Sequence, residues 1–274
     1  MHAASLMQRA VVLTSFLLLA NPLLAGDGTR TRKLAHSIAT EVRQYGHDFK
    51  AMTLAPLRWD AQRWTRFGEG VGAVAVLYAA DRPLYDAVQR NRSSFTNDFA
   101  KVVTPFGGRR AEYISALMII TGSMTHDFTM RDAGRDSLES EIWAGGIVTP
   151  LLKLTFGRAR PSQQKGTHSF QPFNSSYQSF PSGHSTNAWA FATAIAGHYD
   201  GWVVPTIVYS IASGVSMSRV NDRAHFPSDV LAGALISRTI ARSIVARHQR
   251  GRLAWRVTPA LGGGRAGMLV RAEF

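Results

Sequence analysis

The chain has 274 residues, 45% of them hydrophobic, with a mean hydropathy of −0.06. That suffices for one sizeable domain or two small ones, and it favours a water-facing helical bundle over a multi-span membrane protein. There is no cysteine, so packing without disulfides must hold the chain, and the formal charge of +13 points to anionic partners, either phosphorylated substrates or an anionic membrane surface. A solvated basic face is the plainer reading of that charge. The basic residues are dispersed and form no nucleic-acid module, so nucleic acid is not expected as a partner. Oligomeric state is not legible.

The first 25 residues carry Arg9, an apolar run over 10–19, and Leu23-Leu24-Ala25 before Gly26. They read as a secretory signal cleaved after Ala25, which implies a periplasmic protein. An uncleaved anchor is the alternative, although the run is short for a span. Further on, Trp59, Arg63 and Phe67 fall at helical spacing, either as an amphipathic helix at a lipid interface or as a face packed on the core.

Apolar segments at 70–80, 113–125, 142–152, 187–197, 202–217 and 230–240 predict six helices. The uncharged run 201–218 could span a bilayer at a stretch, but Pro205 and many small residues weaken that reading, and peripheral membrane contact stays open. Asp136, three residues before Glu139, looks like a cap-type start for a helix carrying Leu138, Ile142, Leu152 and Phe156. Gly145-Gly146 would let that helix pack closely, Pro150 would kink it, and Lys153 would lie near its end. The polar stretch 162–179 includes Phe170, Phe173 and Tyr177, which suits a substrate lid or a surface loop with anchoring aromatics. Pro181 and Gly183 call for a tight turn feeding the next helix. After Gly251 the pattern alternates through Leu253, Trp255 and Val257, turns at Gly262-Gly263-Gly264, and alternates again to Phe274, predicting a short β-hairpin that lies as a flap on the helical core.

Three clusters carry chemistry. Lys153, Arg158 and Arg160-Pro161 close an apolar segment; Pro181-Ser182-Gly183-His184 opens a helix; Ser218-Arg219, His225 and Asp229 follow downstream. A turn feeding a helix N-terminus offers unpaired N–H groups and partial positive charge to an anion. Phosphoryl transfer needs cations around the equatorial oxygens, a nucleophile in line with the leaving group, and an acid for the departing oxygen. Lys153, Arg160 and Arg219 can supply the first, with Ser182 and the Gly183 N–H as further donors. His225 and Asp229 are four apart, so on a helical turn the carboxylate can keep one ring nitrogen protonated and leave the other to attack. Such a pair could also share a metal ion, but the absence of cysteine and of a dense carboxylate cluster speaks for a metal-free site. Arg158, Lys165 and Arg223 are read as solvated or substrate-facing rather than catalytic.

In order and spacing, Lys-x6-Arg-Pro, Pro-Ser-Gly-His and Ser-Arg-x5-His-x3-Asp resemble the tripartite signature of the type 2 phosphatidic acid phosphatase (PAP2) and vanadium haloperoxidase superfamily, over about residues 138–237. The resemblance implies a mainly α fold, a six-helix-type bundle spanning residues 26–248, with 1–25 as the signal and 249–274 as the β-hairpin tail. It implies an exported, metal-independent and cofactor-free phosphatase acting on phosphomonoesters or lipid phosphates. By the same resemblance His225 forms a phosphohistidine, Asp229 orients it, and His184 protonates the leaving alcohol and later activates water. The charges inside the third motif, Asp222 and Arg223, leave the substrate preference open. Two rivals are a vanadate-dependent haloperoxidase and a non-catalytic basic protein that binds anions at a membrane surface.

Overall fold

Asp60 accepts the backbone N–H of Arg63 at 2.8 Å and starts α1 (Ala61–Ala79). Helices α2 (Asp81–Arg90) and α3 (Ser94–Val103) follow, the latter opened by reciprocal bonds between Ser93 and Thr96. The computed structural model describes residues 43, 46–48, 50–253, 255–262 and 265–272, with side chains as far as residue 250. The predicted signal segment lies outside the described residues.

Helix α4 (Arg109–Thr125) leads into α5 (Phe128–Glu141), whose cap is Asp127 bonding to the Met130 N–H at 2.9 Å. The helix expected to begin at Asp136 therefore starts two turns earlier, and Asp136 is buried inside it. A π-helical stretch, Ile142–Val148, links α5 to α6 (Thr149–Phe156). Pro150 sits in the first turn of α6, where its missing N–H costs nothing, so the irregularity falls at the two glycines and not at the proline. Then come α7 (Gly183–Ala196), α8 (Val203–Asn221) and α9 (Pro227–Leu253). Two C-terminal strands, β1 (Trp255–Gly262) and β2 (Arg265–Ala272), pair antiparallel with Trp255 opposite Ala272. From Ala61 onward the described residues thus hold nine α-helices where periodicity predicts six. The additional ones, α2, α3 and α5, are too polar to show as apolar runs.

The alanine-rich helix α7 lies at the centre, against α5, α8 and α9. Ala188, Ala190, Ala192 and Ala194 are buried, so helices can close on α7 from several sides. Ala188 and Ala192 pack with Val103, Ala212 and Val215, ringed by Phe106, Trp189 and Tyr209. Ala194 packs with Ala241 and Val245 of α9. Gly233 brings α9 so close that an added Cβ would lie 2.7 Å from the Ser182 carbonyl oxygen.

The surface is less polar than the mean hydropathy suggests. Phe67 and Val76 on α1, Phe95 and Val102 on α3, Leu117 and Met124 on α4, and Val203, Ile207 and Ile211 on α8 are exposed. Trp59, Trp64 and Phe67 stack on one another at 5.0–5.8 Å, and α1 buries none of its residues. One described helix, Val203–Asn221, is long and apolar enough to cross a membrane.

Candidate active site

Three chain segments converge on the N-terminus of α7. Ser182 is its N-cap, fully buried, donating its N–H to the Asp229 carbonyl at 3.0 Å. Gly183 is the first helical residue, and an added Cβ would meet nothing closer than Lys153 Cε and Thr149 Cγ2 at 3.9 Å. Gly183 is helical with no positive φ, so the expected tight turn does not depend on its being glycine. Thr149 and Thr186 tie α6 to α7 through their hydroxyls at 3.1 Å.

Lys153 donates to the Gln178 carbonyl at 2.5 Å. Burial, and secondarily the charge of Arg160, lowers its pKa to about 7. Burial also lowers Arg160 and Arg219, and each of these two feels another cation or carboxylate of the cluster. Arg219 donates to Asp222 at 3.0 Å, so one of the extra charges in the third motif braces a site cation, while its buried Nε has no hydrogen-bond partner. The other, Arg223, turns away and bonds to Gln89 of α2 at 3.0 Å; Lys165 is exposed.

Both site histidines are held neutral. Burial pushes His184 down to about 4, helped by Arg219, Arg160 and Lys153, and pushes His225 down to about 3. His225 Nδ1 lies 2.7 Å from the Ser179 carbonyl, so Nδ1 carries the proton as donor and Nε2 keeps its lone pair. The Asp229 carboxylate, expected to hold that ring nitrogen, is 3.8 Å away and bonds elsewhere. It accepts from Ser179 Oγ at 2.6 Å, from the Phe226 N–H at 2.8 Å and from Arg158 at 2.7 Å. Burial alone would raise the Asp229 carboxyl; the neighbouring His225 first, then Arg158 and Ser179, outweigh it and hold it below the usual range. Asp229 thus reaches His225 through Ser179, whose hydroxyl it accepts and whose carbonyl lies on His225 Nδ1.

Arg158 corrects the expectation of a solvated or substrate-facing side chain. It is fully buried, with Asp229 on Nη1 and Asp81 on Nη2, both at 2.7 Å, and it stacks against Phe226 and Tyr78 with its guanidinium carbon 4.4 and 4.9 Å from the ring centroids. Asp81, at the start of α2, also accepts from the Ser228 N–H and hydroxyl. No spacing links Asp81 to residues more than 70 positions away, so the sequence could not reveal it.

A pocket of about 290 Å³ opens beside Lys153, Gly183 and His184. Gly108, Arg109 and Glu112 at the start of α4 also line it, as do Asn174 and Gln178 from the polar stretch. That stretch folds back on α6, the Phe173 N–H bonding the Leu154 carbonyl at 2.7 Å. Gly157 permits the return: it ends α6 at φ +54°, and a Cβ there would run into the Gln171 carbonyl.

The PAP2 superfamily model matches residues 140–252. A lipid A 1-phosphatase of Rhizobium etli is 31% identical over 196 residues, covering 66% of this chain and 81% of that enzyme. A lipid A 1-phosphatase of Rhizobium johnstonii is 46% identical over 92 residues, 32% of this chain and 37% of the relative. Among solved structures, the transmembrane PAP2-type phosphatidylglycerolphosphate phosphatase of Bacillus subtilis superposes with a TM-score of 0.50 at 24% identity, over 66% of this chain and 95% of that one.

Proposed function

The chain belongs to the PAP2 superfamily, and on that premise we propose that it is an exported, metal-independent lipid phosphate phosphatase working through a phosphohistidine. The observation that carries this reading is the gathering of Lys153, Arg160 and Arg219 at the α7 N-terminus, where burial first and then the neighbouring cations lower Lys153, Arg219 and His184. An anion relieves that repulsion, and the buried, unpartnered Nε of Arg219 offers it a further donor.

In this mechanism the phosphoryl group sits among the three cations with Ser182 and the Gly183 N–H as further donors. His225 Nε2 attacks phosphorus while the Ser179 carbonyl keeps Nδ1–H in place. The leaving oxygen takes a proton from His184, whose pKa rises once the phosphate dianion offsets the cations beside it. Neutral again, His184 draws a proton from water, which attacks the phosphohistidine and releases phosphate. The pocket between His184 and Arg109 takes the leaving group. Exposed apolar stripes on α1, α3, α4 and α8 support lipid contact, and the names of the relatives make lipid A 1-phosphate the first substrate to try. Residues 26–248 make up the phosphatase domain in this reading, and 249–274 the hairpin tail.

The test is release of inorganic phosphate from lipid phosphates in micelles and from soluble esters, with His225→Ala as control. Lipid phosphates should be hydrolysed and the variant should be inactive. Vanadate should inhibit; peroxide-dependent halide oxidation switched on by vanadate, without phosphate release from any ester, would instead establish the haloperoxidase.

A further inference from the structure

The phosphatase reading uses the N-terminal end of α9. His248, near the other end, is 19 positions beyond Asp229, which at about 1.5 Å per residue places it roughly 28 Å away. Around it lies a second cluster of charged groups that the mechanism does not use. His248 Nδ1 is 2.6 Å from Asp136 Oδ1, and its Nε2 is 3.0 Å from Asp48 Oδ2 and 3.7 Å from Glu139 Oε2. The other oxygen of Asp136 is 2.7 Å from His198 Nε2, and Arg247 Nε is 3.0 Å from Asp48 Oδ1.

Glu139 is the informative member. It is 1% exposed, its Oε1 accepts the Trp143 indole N–H at 3.3 Å, and its Oε2 is buried with no hydrogen-bond partner. An orphaned carboxylate oxygen in a protein interior is costly and calls for a partner. Asp48, Glu139 and His248 each offer one ligand atom, and all three atoms lie within 4.8 Å of one another.

We infer that Asp48 Oδ2, Glu139 Oε2 and His248 Nε2 form a site for a divalent transition-metal ion that ties the segment before α1 to α5 and α9. One imidazole and two carboxylates are a donor set that suits zinc. Asp136 completes the arrangement: by accepting Nδ1–H it fixes the His248 tautomer with Nε2 toward the ion, the outer-shell role carboxylates play behind ligating histidines. Three protein donors leave coordination for water. At about 28 Å from Asp229 the ion takes no part in phosphoryl transfer and acts as a clamp.

The full-length protein, dialysed against zinc and then against buffer, should retain about one ion per chain by atomic emission. Its unfolding temperature should rise with zinc and fall back with chelator. Glu139→Gln and Asp48→Asn should each weaken zinc binding by roughly tenfold or more. The Asp48 variant carries the test if Glu139→Gln does not fold. His225→Ala should keep its full zinc content, which separates this site from the catalytic histidines and lets the inference stand or fall apart from the phosphatase reading. Substoichiometric zinc in the wild type, undiminished binding in both cluster variants, or loss of zinc in His225→Ala would each overturn it, leaving a hydrogen-bonded charge network.

Discussion

Arg158 holds two buried carboxylates apart with one guanidinium, and its substitution should be felt in stability before it is felt in chemistry. Removing one member of such a network strands the rest without water or counter-charge, which costs about 3–5 kcal/mol. Arg158→Met should lose about that much in urea unfolding, whereas Arg223→Met, at an exposed site, should stay within about 0.5 kcal/mol. Asp229→Asn asks a subtler question. Because the Ser179 carbonyl, not the carboxylate, receives the His225 proton, the amide variant should keep the correct tautomer and lose only part of its turnover, with KM nearly unchanged. A loss in kcat as deep as that of His225→Ala would mean that the carboxylate acts on the ring directly.

Helix α9 meets the start of α7 through Gly233, and this contact transmits structure into the site. An alanine there would place its Cβ 2.7 Å from the Ser182 carbonyl and 2.8 Å from Thr186 Oγ1, both in the turn that presents Gly183 and His184. Overpacking of this kind costs about 1–3 kcal/mol. Gly233→Ala should therefore fold with a lowered unfolding temperature and lose far more kcat than Gly197→Ala, whose Cβ would crowd only Val245 among the side chains, on the far end of α7. Equal activity losses in the two variants would show that the α7 start is not the sensitive element. The same elements mark how far the sequence could be read. Helices α4, α7, α8 and α9 were legible because their apolar runs are long, whereas α2, α3 and α5 were not, since their buried residues are few or polar. Asp81 and Asp136 are buried through partners far away in the chain, which no local period records.

Among the described residues, charged groups gather at two ends of the α7–α9 core: three cations with two histidines and Asp229 at the α7 N-terminus, and Asp48, Asp136, Glu139 and His248 near the C-terminal end of α9. Residue type and spacing in the three motifs were enough to nominate Lys153, Arg160, His184, Arg219, His225 and Asp229 as candidates. They could not give its electrostatics, which depend on burial and on Arg158, Ser179 and Asp222 closing around it. Those electrostatics make a prediction about protons. With a pKa of about 7, Lys153 is about half protonated at pH 7 in the unliganded protein, and His184, at about 4, is almost wholly neutral. A bound phosphate or vanadate anion favours the charged form of both and raises both pKa values. Binding at pH 7 should therefore draw protons from the buffer, up to about half a proton from Lys153 and more if His184 also charges. The sign follows from the direction of the shift, because a group whose pKa rises on binding takes up protons. Calorimetry of vanadate binding in two buffers of different ionisation enthalpy measures this, and Lys153→Met should remove its share of the uptake while weakening the affinity. No uptake in the wild type at pH 7 would mean that Lys153 is already charged, and that the crowding of cations is relieved by something other than the substrate.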